Sequence, residues 1–319
     1  MMTAVVFAAS FVLTYLVRVI AIKKSLLDIP NARSSHTVPT PHGGGIAIAI
    51  SWFGGLWWLL HTGSIDTRLF YALITGAVLS IISFLDDIYD LNPKLRLIIQ
   101  FLVGAAGLYI LGGLKVIDLY FFKITSPYIT NAIAVFAIVW FINLYNFLDG
   151  IDGYAGSEAL FLSFAGYMLF GCLHYMMLGA AVLGFLVWNW HKAKIFMGDT
   201  GSTLLGYNVA IFTIFSQNSG NSVLMWLILF GLFWYDATVT LIRRRKHGEK
   251  LSIAHKKHAY QRLNQSGWRP DEICAAAMLM NLLLFLPLYL NVNLLLSFLL
   301  AIVLLYLIMK YIDRRKAFE

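Results

Sequence analysis

Apolar runs close to the length of a bilayer span recur along almost the whole chain, and nothing else in the sequence limits its fold as much. In lipid only a segment that satisfies its own backbone is stable, so these runs must be helices despite their many β-branched and aromatic residues. Eleven spans are expected, at about 3–22, 44–61, 68–86, 96–112, 129–147, 154–171, 174–190, 202–217, 222–241, 272–290 and 292–310. Of 319 residues 60% are hydrophobic and only 13% charged, about half the charge of a soluble domain. An all-α polytopic membrane protein follows, and a soluble globular domain is excluded. The net charge of +8 then needs no nucleic acid to explain it; topology accounts for it first, an anionic substrate second.

Charge also orients the chain. The connections after spans 1, 3, 5, 7 and 9, with the C-terminal tail, contain 20 of the 24 Lys and Arg residues. The opposite connections contain only Arg68, Lys115 and Lys123, and Arg18 lies within the first span. The positive-inside rule therefore predicts an outside N-terminus and a cytoplasmic C-terminus. The first run lacks a basic start and a small-residue cleavage site, so it reads as a span and not a cleaved signal. Cys172 and Cys274 fall at opposite faces, which argues against a disulfide. On the outer side only residues 113–128 are long, and their partial alternation suits a small hairpin. No internal repeat or low-complexity tail is found, so residues 1–319 read as one membrane domain.

The chemistry lies in the inner connections, at about 23–43, 86–96, 143–153, 191–201 and 242–271. The third holds NFLDGIDG, with Asp149 and Asp152 interleaved with Gly150 and Gly153. Carboxylates at the edge of hydrocarbon are costly and point to a functional site, the bland alternative being a solvated turn. The second connection brings Asp86 and Asp87, which could instead merely cap a span. The fourth brings Asp199 in GDTGS, where the following Thr200, Gly201 and Ser202 suit helix caps. Five acids from three connections on one face repel unless cations offset them. The available bases are Arg33, Lys94, Arg96 and Lys194. Oxygen donors without a Cys-rich or His-rich set suit Mg²⁺, with Mn²⁺ as the alternative. Carboxylates, a hard cation and nearby bases together suggest phosphoryl transfer. The glycine turn Gly43–Gly45 could offer backbone amides to phosphate. Arg243, Arg244, Arg245 and Lys246 read as an anchor at the membrane edge, against anionic lipid. Asp236, within a span, has no evident partner.

Five motifs in order carry a resemblance: DIPNARSSHTVPTPHGGG, FLDDIYDLNPKLRLIIQ, NLYNFLDGIDG, GFLVWNWHKAKIFMGDTGS and AHKKHAYQRL. Together they resemble the polyprenyl-phosphate N-acetylhexosamine-1-phosphate transferases, glycosyltransferase family 4, across nearly the whole chain. The AHKKHAYQRL and RSSH forms are nearer the O-antigen-initiating members than the peptidoglycan branch. The resemblance implies transfer of a sugar 1-phosphate from UDP-N-acetylhexosamine to undecaprenyl phosphate with release of UMP. It also implies Mg²⁺ and a cytoplasmic site on the bacterial inner membrane. By the same resemblance Asp199 is the principal metal ligand, with Asp87 beside it, and Asp86 and Asp87 are the catalytic acidic pair. Asn189, Phe196 and Asp152 form the nucleoside-contacting set, Phe196 stacking on uracil. Asn143, Asn146, Asp149 and Gly150 line the nucleotide and metal pocket. His255 and His258 lie near the sugar diphosphate as catalytic groups. The peptidoglycan branch has a Lys before its glycine turn and three clustered histidines. This chain has two, so Arg33 or His36 replaces the missing phosphate contact, and Lys94 joins the substrate-binding set.

For such a transfer, direct in-line attack by the lipid phosphate is expected, with Asp86 or Asp87 holding or deprotonating it. The rival is a covalent phospho-aspartate. Transporters and flippases place polar groups near the bilayer midplane, often within paired repeats, and neither is found here. A noncatalytic assembly scaffold would not need the acidic constellation. The sugar, the polysaccharide pathway and the oligomeric state, a homodimer included, stay open at this level.

Overall fold

In the computed structural model the described residues are 1–30, 38–89, 91–251, 253 and 255–318. Arg33 and His36 lie outside them. Helices fall on all eleven apolar stretches. They are α1 (Met2–Lys23), α2 (Gly45–His61), α3 (Thr67–Ile74) continued by α4 (Gly76–Tyr89), α5 (Pro93–Ile110), α6 (Pro127–Phe147), α7 (Tyr154–Phe170), α8 (Leu173–Asn189), α9 (Asp199–Asn218), α10 (Val223–Leu229) with α11 (Gly231–Lys246), α13 (Pro270–Tyr289) and α14 (Leu294–Arg315). A further short helix, α12 (Ala259–Gln265), interrupts the last inner connection. Two small antiparallel hairpins complete the described chain: β1 (Leu27–Asp28) with β2 (Thr40–Pro41), and β3 (Ile117–Asp118) with β4 (Lys123–Ile124). The second is the hairpin expected within residues 113–128. Lys123 closes it onto Asp118 at 2.8 Å.

Six of these helical stretches are long and apolar enough to cross a membrane: α1, α3–α4, α5, α6, α13 and α14. The α10–α11 pair would make a seventh, but it is bent by 81°. The protein is therefore a multi-pass, all-helical membrane protein. The stretch expected as a span at 222–241 forms this bent pair: the chain turns at Phe230, whose buried ring stacks on Phe141 at 5.1 Å. Across that break the Trp234 indole N–H donates to the Leu227 carbonyl at 2.7 Å, so the corner is a bonded one.

α9 runs through the middle of the bundle, which accounts for its unusual sequence. It is buried from Thr200 through Phe212, so its Thr, Ser and Asn side chains meet protein and not lipid. It packs on α2, α4 and α6. A Cβ on Gly206 would sit 2.5 Å from the Phe141 carbonyl oxygen, so only glycine lets α6 and α9 cross this closely. That crossing sets the end of α6 beside the start of α9, where the site is built.

The reading of the basic run at the end of α11 is corrected for Arg243 and Arg244, while Arg245 and Lys246 are exposed. Arg244 is buried, not lipid-facing: its guanidinium donates to the Lys250 and Ile253 carbonyls at 2.8 and 2.9 Å and pairs with Glu249 at 2.9 Å. Arg243 forms a two-pronged pair with Asp313 near the end of α14, and Arg262 of α12 shares the same carboxylate. A membrane-edge anchor would leave these guanidiniums outward. Here they fasten the last connection to the bundle. Both cysteines are free.

Candidate active site

One cavity of about 930 Å³ opens at the end of the bundle where the inner connections meet. Its wall includes Asp87, Asn146, Asp149, Gly150, Asp152, Asn189, Phe196, Asp199 and His255. Nine of the residues expected from the sequence are thus brought together from four connections. Asp86, Asn143, Lys94 and His258 are not on the wall, and Arg33 is outside the described residues.

The acidic end is organised by Arg96 and Asn146. Nη1 of Arg96 pairs closely with Asp86 Oδ2 and lies 3.4 Å from Asp199 Oδ2. The other Asp86 oxygen accepts the Leu91 N–H at 2.8 Å. Asp86 is therefore fully engaged in closing the turn between α4 and α5, and it positions Arg96. Asn146, in the last turn of α6, donates to Asp199 Oδ1 at 2.8 Å and to the Ser202 hydroxyl at 2.9 Å. Thr200, Gly201 and Ser202 are not caps, a correction to the reading of GDTGS: they lie inside α9, which begins at Asp199 after Gly198. Asn143 lies one turn back in α6 and donates to Gln100 at 2.6 Å, tying α6 to α5. Lys94 is exposed in the first turn of α5.

Asp87 differs from all of these. Its Oδ2 is buried and accepts no hydrogen bond, and the nearest base, His42 Nδ1, is 3.9 Å away. A buried carboxylate oxygen without a donor is costly and calls for a cation. Among the described residues no three His, Cys, Asp or Glu side chains form a metal cage by themselves. Mg²⁺ does not require one; it is held by one or two carboxylates with waters and substrate phosphates completing the shell. Asp87 and Asp199, oxygen donors on one cavity wall, fit that pattern.

The carboxyl of Asp149 is pushed up to about 7 by burial and then by the charge of Asp199. In the folded, cation-free protein Asp149 thus keeps a proton at pH values where the unfolded chain, near 3.8, has lost it. Protonation favours the folded state between those values, and the advantage disappears as pH rises through about 7. Without divalent cation the Tm should fall between about pH 4 and pH 7 and level off above that, and Asp149→Asn should flatten part of the fall. Equal slopes in the two proteins would show that Asp149 is not the group responsible.

At the other end, Asp152 accepts from His191 Nδ1 at 2.8 Å and from the Ala193 N–H at 3.0 Å. Asn189 bridges the Gly153 N–H and the Ile195 carbonyl, both at 3.0 Å, so it joins the NFLDGIDG turn to the IFMGD segment. In the glycine turn before α2, Gly44 and Gly45 do not offer their amides to a ligand. Gly44 and Gly45 donate to the Phe196 and Met197 carbonyls at 2.9 and 2.8 Å, a correction to the phosphate-cradle reading. Their role is to hold Phe196 and Gly198 in place.

The last connection adds a wall the sequence did not show. α12 places Gln261 and Asn264 on the cavity beside His255, and His191, Lys192 and His42 also line it. His42, His191, Lys192 and Gln261 all lie within the motifs that carry the family resemblance, though none stands out there; Asn264 lies outside them. Burial, the adjacent His258 and the Arg244 guanidinium lower His255 to about 4, so it is a neutral imidazole at physiological pH. His258 is buried behind it, with ring centroids 4.8 Å apart.

Bundle and cavity define a polytopic membrane protein with an acid-rich polar site at one end of its helices. The chain belongs to glycosyl transferase family 4. Residues 69–217 match that family's sequence profile. The chain is 32% identical over 276 residues to a probable undecaprenyl-phosphate N-acetylglucosaminyl 1-phosphate transferase of Bacillus subtilis, covering 80% of this chain and 74% of the relative. It is 28% identical over 294 residues to the undecaprenyl-phosphate alpha-N-acetylglucosaminyl 1-phosphate transferase of Escherichia coli K12, covering 82% and 76%. A decaprenyl-phosphate N-acetylglucosaminephosphotransferase of Mycobacterium tuberculosis H37Rv is 28% identical over 297 residues, covering 79% and 72%.

Proposed function

We propose that this protein transfers a sugar 1-phosphate from a nucleotide sugar to polyprenyl phosphate. The observation that carries the reading is the cavity wall on which Asp87, Asp149, Asp152, Asp199 and His255 meet at the end of a membrane bundle. The donor is UDP-N-acetylhexosamine, the acceptor undecaprenyl phosphate, and the products are the lipid-linked diphosphate sugar and UMP. The names of the relatives support this choice of substrates. All eleven stretches cross the bilayer, N-terminus outside and C-terminus inside, and the cavity opens to the cytoplasm at the inner membrane. The asymmetry of Lys and Arg supports that orientation. The product would begin an O-antigen or related envelope polysaccharide.

An oxygen of the acceptor phosphate attacks the β-phosphorus of the donor. The bond from that phosphorus to the bridging oxygen breaks, and UMP leaves with the bridging oxygen. Asp87 and Asp199 would hold Mg²⁺, which when bound offsets charge on the diphosphate. Asp149, on the same cavity wall, would accept the proton of a monoprotonated acceptor phosphate. His255 donates a hydrogen bond, and Phe196 and Asp152 contact the nucleoside.

The test is UMP release by the purified protein in lipid, supplied with UDP-GlcNAc and undecaprenyl phosphate. UMP should appear only with both substrates and a divalent cation, and stop with chelator. Lack of UMP across a panel of UDP-amino sugars would overturn the reading, and cation-independent release would overturn the metal assignment.

A further inference from the structure

Asp236 of α11 is buried at 3% exposure, in a corner that the proposed reaction does not touch. Both its oxygens accept the Ala259 N–H at 2.9 Å, and one accepts the Thr240 hydroxyl at 3.0 Å. Nδ1 of His258 is buried, makes no hydrogen bond, and lies 3.4 Å from an oxygen of the same carboxylate. A lone pair aimed at a buried carboxylate would repel it, so this nitrogen carries the proton. The His258 ring stacks on Tyr260, whose phenol donates to the Phe147 carbonyl at the entry to the NFLDGIDG turn. It also packs against His255, whose Nδ1 accepts the Lys257 N–H at 3.2 Å. A neutral His255 must then hold its own proton on Nε2.

We propose that Asp236 is a positioning residue: through His258 and the first residue of α12 it presents His255 to the cavity as a neutral imidazole donating from Nε2. The acceptor is a diphosphate or sugar oxygen of the donor substrate, which rests on the transferase reading. Asp236 sits just beyond the 81° corner, so the bent pair and the cavity wall are joined through one carboxylate. The Asp–His pairing fixes a ring that touches no substrate, as outer partners of a functional histidine do.

The experiment combines kinetics with [¹⁵N]His NMR on the full chain in nanodiscs. Asp236→Asn should lower kcat by about 10- to 100-fold with KM for UDP-GlcNAc changed less than about threefold. The Asp236→Asn/His258→Gln double variant should be no slower than the slower single one. His255→Gln, whose amide nitrogen falls where Nε2 was, should retain more activity than His255→Asn. In the wild type, NMR should show His258 protonated at Nδ1 and His255 protonated at Nε2 alone. Additive losses in the double variant, His255→Asn at or above His255→Gln, or a proton on His255 Nδ1 would each overturn the proposal. If Asp236→Asn does not fold, the His255 pair and the wild-type spectra still decide. A wild type that releases no UMP would sink the transferase reading, while the two tautomers are read without turnover.

Discussion

Asp87→Asn should cut UMP release on the order of a thousandfold while raising the Tm of the cation-free protein. Both effects come from one atom. Oδ2 of Asp87 is buried, faces the cavity and accepts no hydrogen bond, with His42 too distant to supply one. An uncompensated carboxylate in such a place destabilises the empty protein, and replacing it by a neutral amide removes that cost. The same change removes half of the proposed carboxylate pair for the cation, and with it the offset of charge on the reacting diphosphate. Stability and activity should therefore move in opposite directions, as at other sites that keep a strained group for function. The checks are thermal unfolding without divalent cation and UMP release with it. A variant that loses activity because it unfolds, or that keeps most of its rate, would remove Asp87 from the site.

The neighbouring residue should behave oppositely. Asp86 is bonded to Arg96 and to the Leu91 N–H, so its removal frees a half-buried guanidinium and a backbone donor. Its loss acts on the fold first. Sequence spacing alone makes the two aspartates look like a pair; only the partners of each oxygen separate them.

How much could be read in advance follows the same division. Run length specified the helices, because in lipid no other structure satisfies the backbone. Local composition marked the inner connections, since carboxylates and glycines stand out against apolar runs. The meeting of Asp87, Asn146, Asp152, Asn189 and Asp199 followed from topology plus motif resemblance. What stayed hidden depends on direction and depth. Arg244 sits in a basic run and looks like its neighbours, yet it turns inward to bind three carbonyls beyond the helix end. The corner at Phe230 lies in an evenly apolar stretch whose only mark is Gly231. α12 spans seven residues, too few for a period to show, so Gln261 was visible only as part of AHKKHAYQRL and Asn264 carried no signal. Asp236 had no visible partner because, apart from the Thr240 hydroxyl one turn on in α11, its partners are an amide and an imidazole brought in by the chain's later return.

Gly45→Ala should abolish the folded site altogether, a larger effect than its one added carbon suggests. A Cβ there would lie 2.2 Å from the Gly201 nitrogen and 2.5 Å from its Cα. Those are backbone atoms in the first turn of α9, so no side-chain rotation relieves the clash. α2 would have to retreat, breaking the Gly44 and Gly45 bonds to the Phe196 and Met197 carbonyls and moving Asp199 with its turn. Overpacking of this kind typically costs about 1–3 kcal/mol, and more where neither side can shift. Two backbone hydrogen bonds would add about 1 kcal/mol each. Against a folding stability of about 5–15 kcal/mol, a loss of that size removes a large part of the margin that holds the site together. Gly54→Ala, in the same helix with nothing within 4 Å of its Cβ, is the matched control. It should be neutral or stabilise by up to about 1 kcal/mol, because alanine is the better helix former. Folded yield, Tm and UMP release measured on both proteins decide the matter. A Gly45→Ala protein with normal Tm would mean that α2 and α9 do not touch here, and that the glycine turn before α2 does not hold the Asp199 segment.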